Sequence, residues 1–179
     1  MMSRRLRLVL LVLLVQCLTE PTRAGEVIDT DRATAAYLYH FFNFTQWPAG
    51  AITSEGSFLR LCLVGDDDNN LHLDAIDGKA AGAKTLQILR MTASASFEQC
   101  HTLFLIYRSS DVRDQVLSKT RHLATLTVSS TPGFVEAGGV VEFVRSEDRL
   151  TLKINAGVMH DKGLQISSKL LNLAEVVNQ

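Results

Sequence analysis

Few side chains in this 179-residue chain stand in a pattern that does chemistry, and each such pattern also has a plain structural reading. The run Asp66-Asp67-Asp68 clusters carboxylates, the ligand type that suits Ca²⁺ or Mg²⁺. It lacks the ligand spacing and the closing Glu of a calcium loop, so it reads as a solvated turn that supplies a helix N-cap. His72, His101, His122 and His160 have no nucleophile–base neighbour in sequence and read as surface or helix-end residues. G-x-S-x-G, G-x-G-x-x-G, the Walker loop and H-E-x-x-H are all absent. No catalytic residue, metal site or cofactor site is therefore assigned. Arg108, Ser109 and Ser130 lie in loops that follow apolar runs. They offer donors to a small anion, or else serve as turn and cap residues. The stretch AAYLYHFFNFTQWP, Ala35 to Pro48, packs six aromatic residues into fourteen positions. Tyr37, Phe41 and Phe44 read as core. Trp47, at the end of the stretch, is either a cap on that core or an exposed anchor for a partner or ligand, a role in which Trp is enriched.

The totals exclude several classes. The composition is 46% hydrophobic and 21% charged, which suits one domain with a proper core. Net charge is -1 and no long basic run lies outside the N-terminus, so nucleic-acid binding has no electrostatic support. Arg4, Arg5 and Arg7, then the apolar run Leu8 to Val15, then Thr22-Arg23-Ala24 form the pattern of a secretory signal peptide cut after Ala24. The run is too short to span a bilayer. Cys17 does not follow a small residue as a lipoprotein cysteine would, since Gln16 precedes it. The expected organisation is a signal peptide over 1–24 and a single domain over 25–179. Removing 1–24 takes away four Arg and Glu20, which leaves 14 basic against 18 acidic residues, net -4. Cys17 leaves with the signal. The even pair that remains, Cys62 and Cys100, reads as a disulfide in an oxidising compartment, with two buried free thiols as the alternative.

The elements that must position these residues follow from periodicity. Residues 31–46 fit an amphipathic helix that Pro48 ends at Trp47. Asp29, Thr30 and Asp31 offer its N-caps. FLRLCLV (58–64), residues 84–91, HTLFLIY (101–107) and residues 124–128 read as strands. Helices are predicted at about 70–76 and over 111–119. Residues 140–144 and 150–154 alternate and read as an antiparallel hairpin turning at Ser146-Glu147-Asp148. Helices over 156–162 and 167–177 close the chain, the last burying Leu170, Leu171, Leu173 and Val177. The predicted fold is α/β: a three-layer sandwich with a mixed, mostly parallel sheet of about six strands, an antiparallel edge hairpin and helices on both faces.

Five segments in order resemble the YfiR-like family of periplasmic proteins. They are AAYLYHFFNFTQWP, FLRLCLVG, CHTLFLIY, LATLTVSSTPGFVEAGGVVEFV and RLTLKINAGVMHDKGLQISSKLLNLA, spanning about Thr34 to Ala174. The resemblance implies a periplasmic regulator, not an enzyme. Its relatives bind the periplasmic sensor domain of an inner-membrane diguanylate cyclase, or accompany a sensor kinase. Binding represses the cyclase, lowering cyclic di-GMP and biofilm formation. An outer-membrane lipoprotein can sequester the regulator, and a homodimer fits the family. Cys62 and Cys100 match the family's cysteine pair. A second pair found in some relatives is missing here, since no cysteine follows Cys100. The competing class is a periplasmic small-molecule binding module with its pocket at the strand ends.

Overall fold

A computed structural model describes residues 30–50, 57–65, 71–146 and 149–178. The predicted signal peptide, Asp29, the Asp66 to Asn70 turn and Glu147-Asp148 lie outside the described residues.

The chain opens with helix α1 (Thr30–Phe44). Leu38 and Phe41 are fully buried on it and Phe42 nearly so, while Tyr37 and Phe44 are half-buried against the same core. Helix α1 stops at Phe44, two residues short of the predicted end at Gln46. Thr45–Gln46 is instead a short strand, β1, paired antiparallel with β9 (Gln165–Ile166). Eight further strands form one sheet: β2 (Phe58–Val64), β3 (Ala80–Ala81), β4 (Lys84–Met91), β5 (Thr102–Leu105), β6 (Leu126–Ser129), β7 (Val141–Ser146), β8 (Arg149–Asn155) and β10 (Ala174–Val177). Their order is β10-β8-β7-β6-β5-β2-β4-β3. The pairs β2–β4, β2–β5, β5–β6, β6–β7 and β8–β10 are parallel, and β3–β4 and β7–β8 are antiparallel.

The sheet thus has eight strands where about six were predicted, and the hairpin β7–β8 stands one strand in from the edge. The extra edge strand is β10, at the end of the segment predicted as one helix over 167–177. Helix α4 (Ser168–Leu171) is only a single turn. Leucines 170, 171 and 173 satisfy a helical stripe, but Leu173 is exposed and Leu170 carries the burial. The following Ala-Glu-Val-Val suits a strand, and pairing with β8 satisfies backbone groups that an open edge would leave bare.

Both faces of the sheet are covered, which is why its central strands read as mostly apolar runs. On β2, Leu59, Leu61 and Leu63 meet the α1 face, while Cys62 and Val64 meet the other. Helix α2 (Ser110–Thr120), capped by the Ser109 hydroxyl, covers the second face through Val116. Helix α3 (Ala156–Asp161) is capped by Asn155 and buries Met159 on the α1 face. Buried Lys162, just after α3, donates to the carbonyls of Thr120 and Leu123 and so closes the C-terminal end of α2. Burial pushes its ammonium down to about 8.

Candidate functional site

Cys62 and Cys100 are joined as a disulfide, with Cα atoms 5.7 Å apart. Cys62 sits within β2, and Cys100 lies two residues before β5, the neighbouring parallel strand. Both sulfurs are buried against Phe97, Leu103, Val116 and Phe134. Met91 Sδ stands 3.7 Å from Cys100 Sγ, a sulfur contact rather than a hydrogen bond, because an oxidised Cys100 has no proton to donate.

The segments whose residues look most distinctive in sequence serve mainly to pin loops. The Ser129 hydroxyl donates to Leu105 O across β5–β6 and accepts from Thr131 N. Thr127 Oγ1 accepts from Val140 N, and buried Glu142 accepts from Val135 N. Asn155 Nδ2 donates to Val135 O. Gly139 faces the buried Phe134 ring so closely that an added Cβ would lie 2.2 Å from it. These contacts fix the loop from residue 130 to 140 at the carboxyl end of β6.

The three sequence candidates do not form one site. Arg108 and Ser130 follow β5 and β6 at their carboxyl ends, where an open α/β sheet places its ligands. Ser130 lines a cavity of about 290 Å³ there, with Asp31, Leu71, Phe104, Ile106 and Arg145 also on the wall. The Arg145 guanidinium pairs with the Asp31 carboxylate at 3.0 Å across this rim. Arg108 is exposed nearby and is not on the cavity wall. Trp47 lies at the opposite end. Its Nε1–H donates to the carbonyl of His101, one residue before β5. The strand between these ends separates them by roughly 20 Å, at about 3.3 Å per residue.

Trp47 is half-buried, stacked on Phe42 at 5.9 Å and edge-on to His101 at 5.7 Å. In sequence His101 reads as a surface or helix-end histidine at the head of an apolar strand. It is buried, and its Nδ1 accepts the Arg60 amide N–H at 3.1 Å. Burial, with the charges of Lys84 and Arg60, holds its pKa down to about 4. The unfolded chain therefore takes up this proton near pH 6.5 and the native state only near 4. Stability is complete above 6.5 and is lost as pH falls through that window, by up to about 3 kcal/mol. His101→Asn keeps an acceptor for the Arg60 amide and removes the titration. Urea melts from pH 7 to 4 should show a steeper acid loss for the wild type than for this variant. Parallel curves would contradict the assignment.

A further cavity, of about 690 Å³, opens between α2 and α3 and is lined by Asp114, Arg121, His122, Asp161 and Lys162. It has no local signature in sequence, because Arg121-His122 and Asp161-Lys162 are far apart in the chain. Among the described residues no group of three or more His, Cys, Asp or Glu could hold a metal ion. Among the same residues no helix is long and apolar enough to cross a membrane.

Two solved structures share the architecture. A conserved domain protein from Vibrio cholerae O1 biovar El Tor superposes with a TM-score of 0.55 at 11% identity, over 79% of this chain and 59% of that one. The ABC domain from Streptococcus pneumonia, solved in complex with L-Trp, gives 0.52 at 12% identity, over 80% and 60%. The chain thus spans about three fifths of each, and at these identities the likeness is one of fold alone. No curated protein sequence matches the chain. A family model does, over residues 31–175, the span from α1 to β10 that builds the sheet, its disulfide and its pinned loops. By that match the chain belongs to the YfiR/HmsC-like family.

Proposed function

We propose that this protein is a periplasmic regulator that binds the periplasmic sensor domain of an inner-membrane diguanylate cyclase and represses it. The observation that carries the reading is the family match over 31–175, which takes in nearly all of the domain predicted to follow the signal peptide. Export through that signal, cleaved after Ala24, puts the domain in the compartment where such a sensor domain is found. It is also the compartment where a Cys62–Cys100 bridge persists.

The regulator needs no reaction of its own. It works by binding one conformation of the sensor more tightly than the other. A 100-fold preference shifts the equilibrium by about 2.7 kcal/mol. Arg108 and Ser130, together at the carboxyl rim, are the proposed contacts on this side. An outer-membrane lipoprotein that competes for the regulator would release the cyclase, and a homodimer could present the rim twice. Deleting the gene should raise cellular cyclic di-GMP and biofilm, and the wild-type gene should restore both. Unchanged cyclic di-GMP in the deletion strain would overturn repression of a cyclase and favour service to a membrane sensor kinase.

A further inference from the structure

The crossover from β4 to β5 carries no helix. These strands flank β2 in the sheet and run parallel to it, so the chain from Thr92 to His101 passes over β2 as a strap. Ala93, Ala95 and Phe97 pack the strap onto the face that holds the Cys62–Cys100 bridge. Phe97 is buried there beside both cysteines. The rest of the cover over the bridge is framed by regular structure, since β2 and β5 sit in the sheet and Val116 is on α2. The strap has no such frame. Among the described residues its own backbone bonds are two local turns, Ala95 N–H to Thr92 O and Cys100 N–H to Phe97 O. The carbonyls of Ala93, Ser94 and Ala95 all accept from one group, the Lys119 ammonium in the last turn of α2, at 3.1, 2.5 and 3.2 Å. An ammonium has three donors, and three carbonyls take them up. The same ammonium stands 6.0 Å from the centre of the Phe97 ring. A hollow of about 320 Å³ lies between the strap and the end of α2, walled by Ser96, Phe97, Glu98, Lys119 and Leu123. Phe97 therefore has space to move into once the ammonium lets go.

We propose that this strap is a lid over the disulfide, latched by Lys119, and that its local opening admits a thiolate while the rest of the domain stays folded. The reductant class is a dithiol. One of its thiolates attacks Cys100 Sγ, at the end of the strap, and forms a mixed disulfide. Cys62 Sγ leaves with the electron pair and takes up a proton. The second thiolate of the dithiol then attacks the reductant's own sulfur in the mixed disulfide. That step releases Cys100, which also takes up a proton, and leaves the dithiol as its disulfide. Two electrons have passed to the bridge, at a rate set by the latch rather than by the stability of the whole domain. The lid requires no membrane partner, so this inference and the regulatory reading stand or fall separately.

The test is to add dithiothreitol to the folded protein at fixed pH, in urea concentrations below the unfolding transition. New thiols are capped with a maleimide and counted by mass. In the wild type the reduction rate should depend only weakly on urea, because local opening exposes little surface. Reduction through global unfolding would follow the full urea dependence of stability. Lys119→Met keeps the length of the side chain and removes the donors. It should be reduced about tenfold faster at the same shallow slope, because the charge-assisted bonds that hold the strap are lost. Lys169→Met, on α4, should leave the rate unchanged. The wild-type slope needs no variant, so the test holds even if Lys119→Met fails to fold. A wild-type slope equal to that of global unfolding overturns the proposal. So does an unchanged rate in a folded Lys119→Met protein, or a gain that comes only with the steep slope.

Discussion

Replacing both bridge cysteines, Cys62→Ala with Cys100→Ala, is expected to lower the stability of the domain by about 4 kcal/mol. The two cysteines are 38 residues apart, and releasing a loop of that length returns this much chain entropy to the unfolded state. The effect should not be smaller, because both side chains are fully buried and their removal also leaves space among Phe97, Leu103 and Val116. For a domain of this size that is a fall in melting temperature of roughly 10 °C. Thermal melts of the wild type, with and without a reductant strong enough to open the bridge, should differ by a similar amount. The double variant itself should be insensitive to reductant. A variant that melts within a degree or two of the wild type would mean the bridge contributes little.

The second large effect is expected at Gly65, the residue that follows β2. Its φ is +140°, and an added Cβ would lie 2.3 Å from the Ile106 carbonyl oxygen at the end of β5. A backbone atom cannot swing aside as a side-chain tip does. Gly65→Ala therefore combines backbone strain of about 1–3 kcal/mol with an overpacking cost of similar size, about 4 kcal/mol in all. Gly78 is the control. Its φ is +73° and nothing lies within 4 Å of its added Cβ. Gly78→Ala should cost only the left-handed backbone term, about 1 kcal/mol. Denaturant melts of the two variants should separate by a clear margin, and equal losses would contradict the close approach of β2 to β5. Because Ile106 also lines the cavity beside Ser130, the Gly65 variant should disturb that rim as well.

These two positions show how legibility varied along the chain. The central strands were readable because burial on both faces writes a mostly apolar run such as FLRLCLV, broken only by Arg60 near its start, and the bridge was readable from an even cysteine count after an export signal. The last element was not. Leu170, Leu171 and Leu173 fit a helix as well as a turn leading into a strand, and the tie is broken by β8, which needs a partner along its outer edge. That pairing is long-range information which local periodicity does not contain. The same limit governs the site. Trp47 drew attention through its type and its place before Pro48, but its hydrogen-bond partner His101 is 54 residues away. His101 groups in sequence with surface or helix-end histidines although it heads the apolar run HTLFLIY, because what buries it is Trp47 and β2, which lie elsewhere in the chain. Arg108 and Ser130 fall at the same end of the sheet because both follow parallel strands at their carboxyl ends, a placement that strand order alone predicts. That Trp47 belongs to the opposite end becomes visible only once α1 and β1 are laid across the sheet. The cavity between α2 and α3 stayed hidden for the same reason, its charged walls coming from chain segments some forty residues apart.

The regulatory reading is tested most directly by capturing the partner in place. Tagged protein, made at its normal level and crosslinked in living cells, should bring down an inner-membrane diguanylate cyclase through that enzyme's periplasmic domain. Mass spectrometry would identify it, and substituting Arg108 or Ser130 should reduce the yield. Recovery of no membrane protein from cells that make the regulator normally would contradict the account.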